Sequence, residues 1–150
     1  MEIARLRSFL DSHKRIAIDT CIFIYQWQAH PRYSPLTDIV FSSVERGDVI
    51  AVTSTISMTE LLVHPYREHD PEKVGEVLGL FSTYPNLHWV APQLEIAVRA
   101  AEIRAAYRLQ APDALQAATA QHAEASALLT NDPIFKRVPA FETLVLDDYV

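Results

Sequence analysis

Five short apolar runs, set at intervals along 150 residues and separated by segments with helical spacing, restrict the possible folds more than any other feature. They are RIAID (15–19), VIAVT (49–53), LHWVA (87–91), ALLT (127–130) and TLVLD (143–147). Most are near-continuous in apolar character and lack the alternation of a strand with one wet face. Strands covered on both sides read this way. The segments between them carry helix signals. Ser34 and Pro35 read as an N-cap and a first helical residue, and Gly47 as the stop before the second run. Asp70-Pro71 opens a helix in the same manner, Ile96, Ala100, Ile103 and Tyr107 mark one helical face, and Pro112 begins an alanine-rich helix. Strands alternating with helices predict an α/β fold: a three-layer α/β/α sandwich with a mostly parallel central sheet of about five strands. No internal linker interrupts it, so residues 1–150 read as a single domain, with 1–14 as an N-terminal helical extension.

Charge and cysteine usage narrow the function classes. The net charge is −6, from 19 acidic and 13 basic residues. That balance argues against gripping duplex nucleic acid through a broad basic face. It leaves open a nucleic-acid enzyme whose cations are metal ions. The single cysteine, Cys21, allows neither an internal disulfide nor a cysteine-rich zinc site. No apolar run is long enough for a membrane span and the N-terminus does not read as a signal peptide, so a cytoplasmic protein without membrane contact is expected.

Against this background one residue is out of place. The run IAIDTCIFIY (16–25) looks built for burial, yet Asp19 stands in its middle. A buried, unpartnered carboxylate is costly. In parallel sheets, however, ligands bind beyond the carboxyl ends of strands, and Asp19 ends the first run. Three more acids fall in comparable places: Glu60 in STISMTELLVHPY, Asp113 in APDALQAATA and Asp132 in LLTNDPIF. Singly, each has an ordinary explanation as a first-turn acid, a turn cap or a solvated helix residue. Together they form a carboxylate-only set with no supporting His or Cys, which selects a hard cation such as Mg²⁺ or Mn²⁺.

Other candidates are weaker. The six histidines form no metal-binding pair, and Cys21 reads better as a half-buried thiol than as a nucleophile. Phe23, Tyr25 and Trp27 could stack on bases, although packing explains them as well. Arg32, Arg67, Lys136 and Arg137 follow the acid-bearing segments and are candidate contacts to RNA phosphates.

In their order and spacing, IAIDTCIFIY, SMTELL, PDALQAATA and LLTNDPIF resemble the motifs of the PIN-domain ribonucleases, and among them the VapC-type toxins of type II toxin–antitoxin pairs. The resemblance runs from about residue 15 to the C-terminus. It implies a metal-dependent endoribonuclease that hydrolyses single-stranded RNA, using Mg²⁺ or Mn²⁺. Asp19, Glu60, Asp113 and Asp132 would be both catalytic residues and metal holders, with Thr20, Thr130 and Asn131 as polar support. It also implies a small antitoxin partner whose C-terminal segment wraps the toxin. An Arg or Lys from that segment would enter the acidic cleft, and the rest would lie in an apolar groove around Phe23, Trp27, Leu61 and Leu62. A homodimer is compatible with it. Cys21 stands where the family often has Asn, and the N-terminal extension is an addition. Two alternatives are a non-toxin or catalytically inactive RNA- or protein-binding module of the same fold, and a haloacid-dehalogenase-like phosphohydrolase. The latter needs a second Asp where Cys21 stands.

Overall fold

The apolar runs become strands because each is buried from both sides. The computed structural model describes residues 2–150. Its strands are β1 (Arg15–Ile18), β2 (Ile50–Ser54), β3 (Leu87–Val90), β4 (Ala127–Thr130) and β5 (Glu142–Val145). They form one sheet of order β3-β2-β1-β4-β5 in which every pairing is parallel. The helices are α1 (Glu2–Asp11), α2 (Thr20–Trp27), α3 (Ser34–Glu45), α4 (Ile56–Arg67), α5 (Pro71–Ser82), α6 (Leu94–Tyr107) and α7 (Ala111–His122). Two 3₁₀ turns, Pro133–Arg137 and Leu146–Tyr149, follow β4 and β5.

Side chains still alternate along each strand, but both sets are apolar. Ile16, Ile18, Leu129 and Leu144 join a core with Leu6, Leu10, Phe23, Val40, Leu61 and Phe81 from α1 to α5. Ala17, Val52 and Leu128 join a second core with Ile96, Ala100, Ile103, Ala114, Ala117 and Phe135. The second core is rich in alanine, which lets the backbone of α7 approach the sheet closely. This is the sandwich the sequence predicts.

Local chemistry sets the helix boundaries. Asp70 caps α5 by accepting the Lys73 N–H at 3.0 Å. The start of α3 differs from expectation. Tyr33 occupies the cap position without a side-chain hydrogen bond, and Ser34 is already helical. Ser34 cannot cap because the chain enters α3 from a turn with Tyr33 near helical geometry. At the other end Gly47 does close α3, at φ +81°, with its N–H on the Val44 carbonyl.

The N-terminal helix is part of the core. Leu6 is fully buried, and Arg5 sits 4.5 Å over the Tyr149 ring while donating to the Asp148 carbonyl. Leu6→Ala is therefore expected to cost about 2–4 kcal/mol of stability in urea unfolding. A loss below about 0.5 kcal/mol would show that α1 rests loosely on the sheet.

Candidate active site

The winding of the sheet reverses between β1 and β4, and the site lies beyond their carboxyl ends. Asp19 is the first residue after β1. Its own N–H extends the ladder to the Leu129 carbonyl at 2.9 Å, and its carboxylate caps α2. Oδ1 accepts the Thr20 N–H at 2.8 Å, and Oδ2 accepts the Thr130 hydroxyl at 2.7 Å. Thr130 in turn accepts the Asp132 N–H at 3.0 Å, which ties the segments after β1 and β4 together. Glu60 stands one turn into α4, and its Oε1 accepts the Thr20 hydroxyl at 2.7 Å. Asp113 is the third residue of α7, and Asp132 caps the turn after β4 through the Ile134 N–H.

All four acids line one open cleft of about 560 Å³, together with Thr20, Cys21, Ile24, Tyr25, Asn131 and Pro133. No Lys, Arg or His is among the lining residues. Burial, followed by the charges of Asp113 and Glu60, outweighs the two hydrogen bonds to Asp19 and pushes its carboxyl up to about 6. Asp113 is raised as well, by burial and then by Asp132 and Glu60. Burial and the Asp19 carboxylate push the Cys21 thiol up to about 12, so it stays a neutral thiol beside the site. Among the described residues no three acidic, His or Cys side chains are close enough to form a ready-made metal cluster. Oxygen-only donors, mutual repulsion and free carboxylate oxygens nonetheless make the set chemically suited to a hard divalent cation.

The polar residues expected beside the acids occupy distinct layers. Thr20 and Thr130 are buried and hold Glu60 and Asp19. Asn131 donates to the Tyr25 hydroxyl at 3.2 Å and accepts the Asp147 N–H at 2.9 Å. Of the basic candidates, Arg32 lies 3.8 Å from Asp147, Lys136 pairs with Asp148 at 3.0 Å, and Arg137 donates to the Tyr107 carbonyl. Arg67 borders a separate groove, and none of the four lines the cleft. Tyr25 is the aromatic residue at the cleft, stacked on Tyr33 with centroids 4.3 Å apart.

The expected groove around Phe23, Trp27, Leu61 and Leu62 is corrected by packing. Phe23 is fully buried among Phe41, Phe81 and Trp89, and Leu61 is 7% exposed. Trp27 borders a small hollow of about 140 Å³ beside Glu60, whereas Leu62 lines an open apolar groove of about 740 Å³ with Met58, Tyr66, Leu78 and Trp89. Sequence reasoning also missed Thr53, Ser57 and Gln116, whose buried polar side chains lie directly behind the cleft. Polarity within an otherwise apolar run could have signalled Thr53, whereas Ser57 and Gln116 stand in segments where a polar residue is ordinary.

A model of the PIN domain family matches residues 16–140, and the chain belongs to that family. No curated protein matches it in sequence. Among solved structures it is similar in fold to VapBC2 of Rickettsia felis bound to a promoter DNA fragment, with TM-score 0.67 and 20% identity. That match covers 87% of this chain and 98% of the other. It is similar also to DNA-bound VapBC of Salmonella typhimurium, with TM-score 0.68, 18% identity and coverages of 87% and 97%. A toxin–antitoxin complex from Klebsiella pneumoniae matches with TM-score 0.64, 20% identity and coverages of 87% and 96%.

The raised Asp19 carboxyl makes a stability prediction. Ionising it opposes folding, so its contribution is fully present below about pH 4 and is lost as pH rises through about 6. In metal-free buffer Asp19→Asn should therefore stabilise the protein at pH 8, by at most about 3 kcal/mol, and give no advantage at pH 3.5. Denaturant unfolding at the two pH values measures this. A gain independent of pH would mean that charge is not its cause.

Proposed function

We propose that this protein is a metal-dependent endoribonuclease that hydrolyses single-stranded RNA, and that it is the toxin of a toxin–antitoxin pair. One observation carries the reading: four carboxylates, from four separate elements, line one cleft with no cationic side chain among them. Mg²⁺ or Mn²⁺ would be held by Asp19, Glu60, Asp113 and Asp132, directly or through water. When bound, such an ion neutralises charge on a phosphoryl group and makes water a better nucleophile at neutral pH.

The chain's own residues prepare the site. Thr20 aims Glu60, and Thr130 fixes Asp19 while anchoring the Asp132 backbone. Glu60 Oε2, Asp132 Oδ2 and both Asp113 oxygens accept no hydrogen bond among the described residues, so they are free to meet a ligand. The open cleft and the Tyr25–Tyr33 stack beside it suit a strand whose bases are splayed outward. The acidic balance disfavours a duplex gripped by many phosphate contacts. The toxin assignment is supported by the family match and by the similarity in fold to VapBC and other toxin–antitoxin structures. A small antitoxin carrying Arg or Lys suits this cleft, because a guanidinium stays charged and can bind two carboxylates at once.

Purified protein should cleave RNA with Mg²⁺ or Mn²⁺ and lose activity in EDTA. Asp19→Asn or Glu60→Gln should lower cleavage by at least about 100-fold while the fold is kept. Near-normal cleavage by either variant would remove that residue from the site. Full activity in EDTA would contradict the metal requirement. A folded wild type that binds RNA yet never cleaves it would favour a binding module.

A further inference from the structure

Gln116 is a long polar side chain in the alanine-rich helix α7, and it is only 3% exposed. Its amide has one consistent orientation. The Ser54 N–H can only donate, so Oε1 faces it at 3.4 Å and Nε2 donates to Ser57 Oγ at 2.6 Å. Protons can then be followed along the contacts. Thr53 gives its hydroxyl proton to the Ile18 carbonyl at 2.8 Å, so Ser57 donates to Thr53 Oγ1 at 2.8 Å. A directed chain runs from Gln116 to Ser57 to Thr53 to Ile18. It starts on α7, crosses α4 and β2, and ends on the last residue of β1.

Each end and the middle of this chain stand next to an acid. Ile18 immediately precedes Asp19. Ser57 lies three residues before Glu60 in α4, and Asp113 three residues before Gln116 in α7, so each pair shares one helix face. The apolar side chains of α4 and α7 pack in the cores on opposite faces of the sheet, so the Gln116–Ser57 hydrogen bond is what joins the two helices directly at this point. Its preferred length and angle fix their separation there.

We propose that Gln116 is a positioning residue for the cleft: through Ser57, Thr53 and Ile18 it sets the spacing of Glu60, Asp19 and Asp113. The proposal rests on reading the carboxylates as a metal-holding set. Gln116 touches neither substrate nor metal in this role. It acts by keeping one turn of α7 and one turn of α4 at a fixed separation behind the acids. A buried amide that merely satisfies its own hydrogen bonds would affect stability and nothing else.

The test compares Mn²⁺ affinity, read from the electron paramagnetic resonance of free Mn²⁺, with thermal melting of the same samples. Gln116→Met keeps the length of the side chain but removes both hydrogen bonds. The double variant Gln116→Met/Ser57→Ala also removes the hydroxyl that faces it, leaving two apolar groups in contact and a second chance of a folded protein. Both are expected to melt cooperatively and to bind Mn²⁺ about 10-fold more weakly than wild type. Folded variants that bind Mn²⁺ as tightly as wild type would overturn the positioning role and leave the nuclease reading standing. Wild-type protein that fails to bind Mn²⁺ would overturn the metal-holding reading, and this proposal with it.

Discussion

Asp19 is held where two demands conflict. Its backbone continues the β1–β4 ladder and its carboxylate caps α2, so the fold fixes it at the junction of the two central strands. Burial and two neighbouring acids oppose its charge, while Thr20 and Thr130 favour it. Burial, aided by the two acids, wins, and the carboxyl is pushed up to about 6. Much of the surrounding architecture serves to position this carboxylate and the others in one cleft.

That service comes from both faces of the sheet. The large aliphatic and aromatic core under α1 to α5 anchors α4 and so Glu60, and the alanine-rich core under α7 brings Asp113 close to the sheet. Between the two cores runs a thin polar layer of Thr53, Ser54, Ser57 and Gln116, all buried. Among the described residues, no buried side-chain nitrogen or oxygen lacks a hydrogen-bond partner. A satisfied polar layer of this kind is rigid and specifies one arrangement.

The strands and the four acids were legible because each signal is local. A run buried on both faces must be apolar throughout, and an acid at its end stands out against that background. The caps were partly legible: Asp70 announces itself by the following proline, whereas the α3 cap at Tyr33 uses no side chain and leaves no mark. Full burial of Phe23 and Leu61 could not be separated from the partial burial of Trp27 and Leu62, since apolar residues on one helix differ only in where neighbouring elements pack. Gln116 was invisible for the opposite reason. A glutamine among alanines reads as a solvated helix position, and only the tertiary structure brings Ser57 and the Ser54 N–H to it. The basic residues that follow the acids in sequence lie outside the cleft lining, because proximity along the chain says nothing of which way a surface side chain turns.

The central claim is that these four carboxylates form one cation site at the carboxyl end of the sheet. Crystals soaked in Mn²⁺ and measured at the manganese absorption edge test it most directly. The account predicts an anomalous peak in the cleft among Asp19, Glu60, Asp113 and Asp132, lost in Asp19→Asn. Peaks only at surface acids such as Asp147 and Asp148, with the cleft empty at saturating Mn²⁺, would contradict it.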